Sequence, residues 1–388
     1  MTIKKKYLVV IGILIAAAAG FFAFKASRTP ETKAEDISEG LRPFAYTEGW
    51  LLGPPVVAVV KCSNYDAAEV KRAVEEAISL IGGLNDVVKS GDRIGIKPNL
   101  TTNHSGEAGV TTHPAVVSAL IDCFRKITSG KITIMEGAGG ANTADAFKDQ
   151  GWVELSKNKN CRLVDLNHPV PYPTFVVCRI PGGGLAFREL TFNRAFKDID
   201  VFVSVAKLKV HELAGITLTV KNQFGSVPMD AYGNMERAKW QLHKDDPWRS
   251  MPCAINDINA CNPINLAVVD GVIGLEGGAG LWNPAARAKN TGLIIIGKNA
   301  VAVDAVGTVL MGYDPEADYP DPPFEAAENH LRIARDLGLG PTDLKKIDIR
   351  LGKGIRKLSD AASPFSISYS RADIPAEFKL EKVSRLKP

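Results

Sequence analysis

An apolar run rich in β-branched residues (Val201, Val203, Val205) that ends in Lys207, Lys209 and His211 restricts the folds open to this chain. A strand that is apolar on both faces belongs in a parallel sheet covered by helices. Side chains alternate along a strand, so the three basic residues share one side of it. Lysines at the exit of a buried strand are costly unless something anionic meets them. In open α/β sheets, ligands sit beyond the carboxyl ends of the strands. The segment 203–225, VSVAKLKVHELAGITLTVKNQFG, which also carries Lys221 and Asn222, therefore reads as one wall of a binding site.

The surrounding sequence supplies the rest of such a sheet. Strands are expected at 56–61, 93–98, 131–135, 162–166, 265–270, 292–297 and 346–351, and helices at 67–81, 113–127 and 299–312. Thr112 is the expected N-cap of the second helix, with Pro114 in its first turn. TFVVCRI and LAFREL, joined by residues 181–184, read as an antiparallel hairpin. GITLTVKN stays open between strand and helix, because it is β-branched yet Thr217 and Lys221 share a helix face. The expected fold is α/β, with a mostly parallel doubly wound sheet, helices on both faces and a hairpin excursion.

Several expected strands deliver polar residues at their carboxyl ends. Residues 93–98 exit into Lys97 and Asn99; 131–135 exit into Glu136 and the glycines Gly137, Gly139 and Gly140; 265–270 end in Asp270 and a glycine-rich loop with Glu276 and Gly277. Asp304 lies early in the helix after Asn299. Lysines at such an edge suit phosphate or carboxylate groups. Asp270, Glu276 and Asp304 offer hard oxygen ligands for a divalent metal, and His211 or His113 would admit a transition metal. Each residue also has a structural alternative. Lys97 and Pro98 could simply end a strand, His113 could start a helix, and Gly137 or Gly277 could serve only a turn. Glu136-Gly-Ala-Gly-Gly resembles a phosphate-cradling turn but matches neither GxGxxG nor the lysine-bearing phosphate loop. His243, in KWQLHKDDPW, reads as part of a solvated loop.

The N-terminus bears on location. Lys4, Lys5 and Lys6 precede an apolar run over residues 7–24, which as a helix would extend about 27 Å, close to the ~30 Å of a hydrocarbon core. The expectation is a single-pass anchor in the cytoplasmic membrane with its N-terminus inside and the globular domain outside the cytoplasm; secretion after signal cleavage is the alternative. The organisation expected is an anchor over 1–25, a linker over 26–54, an α/β domain over 55–354 and a tail over 355–388. A net charge of +4 without a basic tract argues against nucleic acid as partner. None of the six cysteines forms a CxxC, so neither an iron–sulfur cluster nor a thiolate zinc site is expected. Cys161 and Cys178 are the candidate disulfide pair, against six small buried hydrophobes.

KPNLTT, TTHP, VAKLKVHELAGITLTVKNQFG, INDIN, NLAVVDGVIGLEG and NAVAVDAVGTVLMG follow one another between Lys97 and Gly312. Together they resemble the bacterial and archaeal family catalogued as domain of unknown function 362. The resemblance implies a shared α/β domain and carries over, by motif position, Lys97, Asn99, His113, Lys207, Lys209, His211, Lys221, Asn222, Asp270, Glu276 and Asp304. Some relatives carry ferredoxin-like cysteine clusters beside this domain; this sequence has none, so a redox role is not carried over.

Three functions fit these readings. The first is an enzyme on a small anionic molecule, with Lys207, Lys209, His211 and Lys97 as catalytic candidates, Asn99, His113, Lys221, Asn222, Gly137, Gly139 and Gly277 as ligand contacts, and metal assistance from Asp270, Glu276 and Asp304. A desolvated lysine could instead act as base or nucleophile. The second is an extracytoplasmic binding or sensing protein using the same pocket, and the third an envelope assembly factor. No GxSxG or HExxH motif supports a serine hydrolase or a zincin.

Overall fold

A computed structural model describes residues 37–39, 41, 53–233, 242 and 247–365. The apolar run 7–24 and His243 lie outside them. Among the described residues no helix is long and apolar enough to cross a membrane.

In chain order the elements are β1 Ile37–Glu39, β2 Val56–Lys61, α1 Ala67–Leu80, β3 Ile94–Pro98, α2 Pro114–Arg125, β4 Ile132–Glu136, α3 Thr143–Asp149, α4 Trp152–Asn158 and β5 Arg162–Asp165. There follow β6 Phe175–Arg179, β7 Glu189–Asn193, β8 Val201–His211, β9 Gly215–Thr217, α5 Thr219–Asn222, α6 Met229–Tyr232 and α7 Pro247–Cys261. The last are β10 Leu266–Glu276, β11 Arg287–Gly297, α8 Ala300–Leu310, α9 His330–Asp336 and β12 Asp348–Leu351. The main sheet runs β12-β2-β11-β10-β8-β3-β4-β5, with β9 added to the end of β8. All neighbours along this path are parallel except β11, which is antiparallel to both β10 and β2. This is a mixed α/β fold with a mostly parallel central sheet.

β8 sits centrally, between β10 and β3, and is buried along ten of its eleven residues. Its alternation feeds two cores. Val201, Val203 and Val205 join one cluster with buried residues of α1 and α2, including Val70, Val74, Val117 and Leu120. Phe202, Leu208 and Val210 join the other, with Ile255, Ile258, Val303, Val306 and Leu331 of α7, α8 and α9. Burying each such side chain contributes roughly 1.5–3 kcal/mol, so the alternation fixes the register of the strand.

The helix starts follow from their caps. Asp66 accepts hydrogen bonds from the Ala68 and Glu69 amides at the head of α1, and Asn299 accepts from the Ala302 amide at the head of α8. The cap of α2 is His113, whose Nδ1 accepts from the Ala115 amide, and not Thr112. The Thr112 hydroxyl is committed elsewhere, accepting from the Asn99 amide and donating to the Val205 carbonyl.

Other expectations shift in extent. The open segment GITLTVKN divides into β9 and the single turn α5. The glycine-rich loop expected after Asp270 is instead the continuation of β10 to Glu276. Its glycines serve packing: a Cβ on Gly274 would lie 2.7 Å from the Leu208 carbonyl oxygen. The hairpin exists as β6 and β7, its second strand starting later than expected at Glu189, and β1 pairs with β6 to make a separate three-stranded sheet. The Cys161–Cys178 pairing is not formed; none of the six cysteines is in a disulfide, and the Cys261 thiol instead lies beside the Cys178 carbonyl, at 3.8 Å.

Candidate functional site

The polar residues at the carboxyl edge separate into a closed pair and an open cleft. Lys207 and Asp270 are register partners on β8 and β10, and both side chains are fully buried. Lys207 Nζ donates to Asp270 Oδ2 at 3.0 Å, to the Tyr65 hydroxyl at 2.6 Å and to the Gly106 carbonyl at 3.0 Å. That exhausts the three donors of an ammonium group. Asp270 is equally committed, accepting also from the Tyr65 hydroxyl at 2.9 Å, the His113 amide at 2.9 Å and the Val272 amide at 3.2 Å. Burial depresses the Lys207 pKa, and the Asp270 carboxylate opposes that shift. The Tyr65 ring stacks on His113 with centroids 3.9 Å apart.

The floor of the cleft is a second buried ion pair. Lys97, at the end of β3, meets both oxygens of Glu136 at the end of β4, at 2.8 and 2.9 Å. It also donates to the Pro98 carbonyl and to Asn222 Oδ1. Glu136 accepts further from the Leu100 and Gly137 amides. Asn222 ties this pair to β8 by donating to the Lys97 carbonyl and the Ser204 hydroxyl, and its Oδ1 accepts from Asn99. Gly225 passes directly over the pair, where a Cβ would lie 2.1 Å from Glu136 Oε1 and 2.6 Å from Lys97 Nζ.

Above this floor lies a cleft of about 270 Å³, lined in part by Lys209, His211, Lys221, Phe224 and Trp282. Such a volume suits a small ligand. Lys209 is 1 % exposed and donates to the Val110 and Ala279 carbonyls at 2.7 and 2.8 Å, so one of its three donors has no acceptor among the described residues. Burial, reinforced by neighbouring Lys221, lowers its pKa to about 7. Lys221 is 8 % exposed, and among the described residues its ammonium has neither a hydrogen-bond acceptor nor an ion-pair partner. Its Nζ lies over the Phe224 ring, 4.4 Å from the centroid. Burial, with Glu212 opposing and Lys97 assisting, lowers its pKa to about 8.

Three residues of the lining carry buried polar atoms, Asn99 Oδ1, Thr101 Oγ1 and Thr217 Oγ1, that have no hydrogen-bond partner among the described residues. Each unmade bond costs roughly 1–3 kcal/mol, so three such atoms around one cavity are a cost that the fold leaves unmet there. His211 Nδ1 accepts from the Leu213 amide at 3.1 Å and lies 3.7 Å from Glu212. Glu212 accepts from the Ala279 amide and from Trp282 Nε1, which holds the half-exposed indole at the cleft. Burial raises the Glu212 pKa, but His211 and these hydrogen bonds outweigh it and leave the carboxyl below its ordinary range.

Lys97, Asn99, Gly137, Gly139, Lys209, His211, Lys221 and Asn222 thus meet in one cleft. The remaining candidates do not. His113 lines a separate surface hollow with Tyr65, Asp66 and Glu107. Gly277, with φ of 72°, occupies a turn outside the cleft lining. The three carboxylates expected to hold a metal lie apart: Asp270 is consumed by Lys207, Glu276 lies 3.6 Å from Lys289, and Asp304 is a helix cap. Among the described residues no group of three or more His, Cys, Asp or Glu side chains is placed to hold a metal ion.

Asp304 accepts from the Thr219 amide and hydroxyl at 2.8 and 2.5 Å and from the Val220 amide at 2.8 Å. It therefore caps α5, the turn that presents Lys221 and Asn222, and burial raises its pKa to about 7 despite those bonds. The phosphate-cradling turn proposed after Glu136 leads only to the seven-residue helix α3, already capped by Asn142. Sequence reasoning missed Glu212, Phe224, Gly225, Thr217 and Trp282. Of these, Glu212 and Thr217 carried a usable signal, flanking the basic strand end within a tight β8–β9 return.

Comparison with known proteins places this geometry in a family. A thylakoid-associated protein of Synechocystis sp. is 26% identical over 288 residues, which cover 74% of this chain and 80% of that protein. Residues 94–309, more than half of the chain, match the family described as a domain of unknown function (DUF362), and every cleft-lining residue from Lys97 to Trp282 falls inside that match. The chain belongs to the DUF362 family.

Proposed function

We propose that this protein is a membrane-associated enzyme whose cleft takes a small anionic molecule, with Lys221 and Lys209 as the cationic contacts. The observation that carries the reading is Lys221, a residue 8 % exposed whose ammonium has no acceptor among the described residues, in a cleft whose lining includes three polar side chains also without partners among them. A buried unpaired cation is costly, and an anion at Lys221 and at the uncommitted donor of Lys209 removes that cost. The chemistry in this reading rests on lysines, because the carboxylates expected to hold a metal are engaged elsewhere.

Membrane association is supported by the apolar run 7–24 behind Lys4, Lys5 and Lys6, and by the thylakoid association of the Synechocystis relative. The proposed arrangement keeps the N-terminus in the cytoplasm and the cleft outside it.

Calorimetric titration of the detergent-solubilised full chain with inorganic phosphate tests the reading. Saturable binding is expected in the wild type and in Lys126→Met, whose lysine pairs with Glu75 on the surface. Lys221→Met should weaken it by on the order of 10–100-fold, the worth of one charged hydrogen bond. Equal binding by Lys221→Met, or no saturable heat in the wild type, would remove the assignment.

A further inference from the structure

Resting on that reading of the cleft as an anion site, we propose that Lys221 is a covalent nucleophile, condensing through Nζ with the carbonyl carbon of a small 2-oxo acid to form an imine. The other lysines at this edge have tasks in the fold. Lys97 is held by Glu136, Asn222 and the Pro98 carbonyl; Lys207 by Asp270, Tyr65 and the Gly106 carbonyl; Lys209 by two backbone carbonyls. Lys221 alone of the four has no acceptor among the described residues, so its neutral amine forfeits no hydrogen bond, and its lone pair is free within the cleft.

The rest of the cleft suits the two ends of a 2-oxo acid. The remaining N–H of Lys209 can meet the carboxylate. Thr101 and Thr217 line the same cleft, and their buried hydroxyls have no partner among the described residues, so a χ1 rotation that brings either to the carbonyl oxygen, and then to the carbinolamine hydroxyl that replaces it, breaks no hydrogen bond. A cleft of about 270 Å³ admits a compact acid. The low basicity of Lys221, caused first by burial, keeps part of it as amine near neutral pH, a recognised route to a nucleophilic lysine.

The step balances without a redox partner. The Nζ lone pair forms the C–N bond while the carbonyl π pair moves to oxygen, and a proton passes from nitrogen to that oxygen to give the carbinolamine. Its hydroxyl then leaves with the second nitrogen proton as water, and the C=N bond forms. Imine formation is reversible, so it is detected by hydride trapping.

The detergent-solubilised full chain is incubated with pyruvate and sodium cyanoborohydride, digested, and mapped by mass spectrometry for carboxyethyl-lysine. The expected result is labelling of Lys221 at least tenfold above any other lysine, suppressed by excess sulfate. Lys221→Arg keeps the cation and should still bind sulfate, yet should show no adduct beyond the surface background. Sulfate binding with no preferential Lys221 adduct overturns the covalent role and leaves the anion site standing. Absence of both sulfate binding and adduct overturns both readings. An adduct pattern unchanged in Lys221→Arg overturns the assignment of the nucleophile.

Discussion

Lys207 was expected among the catalytic candidates, but its surroundings make it a structural residue, and Lys207→Met separates the two roles. The variant keeps the stem's volume and removes an ammonium that makes hydrogen bonds at 2.6, 3.0 and 3.0 Å from a fully buried position. Removing one partner of a buried ion pair costs about 3–5 kcal/mol. Asp270 would retain three donors, the Tyr65 hydroxyl and the His113 and Val272 amides, which places the loss near the lower end, at about 3 kcal/mol. Asp270→Asn should cost a similar amount, leaving the buried Lys207 ammonium with neutral acceptors and no counter-charge from β10. The double variant no longer carries an unbalanced buried charge, so its loss should fall short of the sum by about 1–3 kcal/mol. Urea unfolding of the full chain followed by circular dichroism gives the four stabilities, and calorimetry with sulfate gives the affinity of each folded form. Sulfate affinity should stay within about threefold of wild type, below the effect of losing one charged contact. Strict additivity, or a loss under about 1 kcal/mol for Lys207→Met, would refute the closed pair. A stable Lys207→Met that no longer binds sulfate would return Lys207 to the site.

Two further outcomes follow from the open cleft. Lys209 and Lys221 have pKa values lowered to about 7 and about 8, so both bind anions as cations below those values and lose charge as pH rises through them. Sulfate, whose charge is constant over this range, should bind best near pH 6 and weaken stepwise between pH 7 and 8, with the upper step missing in Lys221→Met. Calorimetry across pH checks this, and affinity constant up to pH 9, as for ordinary lysines of pKa about 10.4, would contradict it. Gly225→Ala places a Cβ 2.1 Å from Glu136 Oε1 and 2.6 Å from Lys97 Nζ. It should cost about 1–3 kcal/mol in urea unfolding and disturb sulfate binding with it; a neutral substitution would mean that the loop does not press on the buried pair.

The sequence made the sheet legible where burial imposes period two. Val201, Val203 and Val205 share one core cluster as alternation requires, and Lys209 faces the cleft from the same strand. The different fates of Lys207 and Lys209 were not legible. They are decided by Tyr65, 142 positions before Lys207, and by the Gly106 carbonyl, neither of which a local pattern can foresee. Asp304 misled for a related reason. Leu218, at the head of α5, has no side-chain cap to offer, so the amides of Thr219 and Val220 take an acceptor from α8. A carboxylate that looks like a free ligand in sequence is therefore a distant helix cap in the fold.

The place where the edge opens is itself set by the backbone. β3 pairs with β8 only as far as Pro98↔Val205, and the Asn99 amide makes the last bond between them, to the Val205 carbonyl at 3.0 Å. On the other side, the pairing of β8 with β10 is regular to Lys207↔Asp270 and resumes only at Lys209↔Leu275. β9 then takes over one edge of β8 from Lys209↔Thr217. Lys207 is thus the last lysine inside the regular sheet, where a charge must be neutralised within the protein. Lys209 is the first beyond it, where the cleft begins. Two residues on one strand meet different physical demands because the ladder changes between them, and both partings of β8 lie within residues 94–309 that define the family match. The opening and the whole lining of the cleft are therefore built within the DUF362 segment of this chain, while Tyr65, which precedes that segment, helps to close the Lys207 pair beside it.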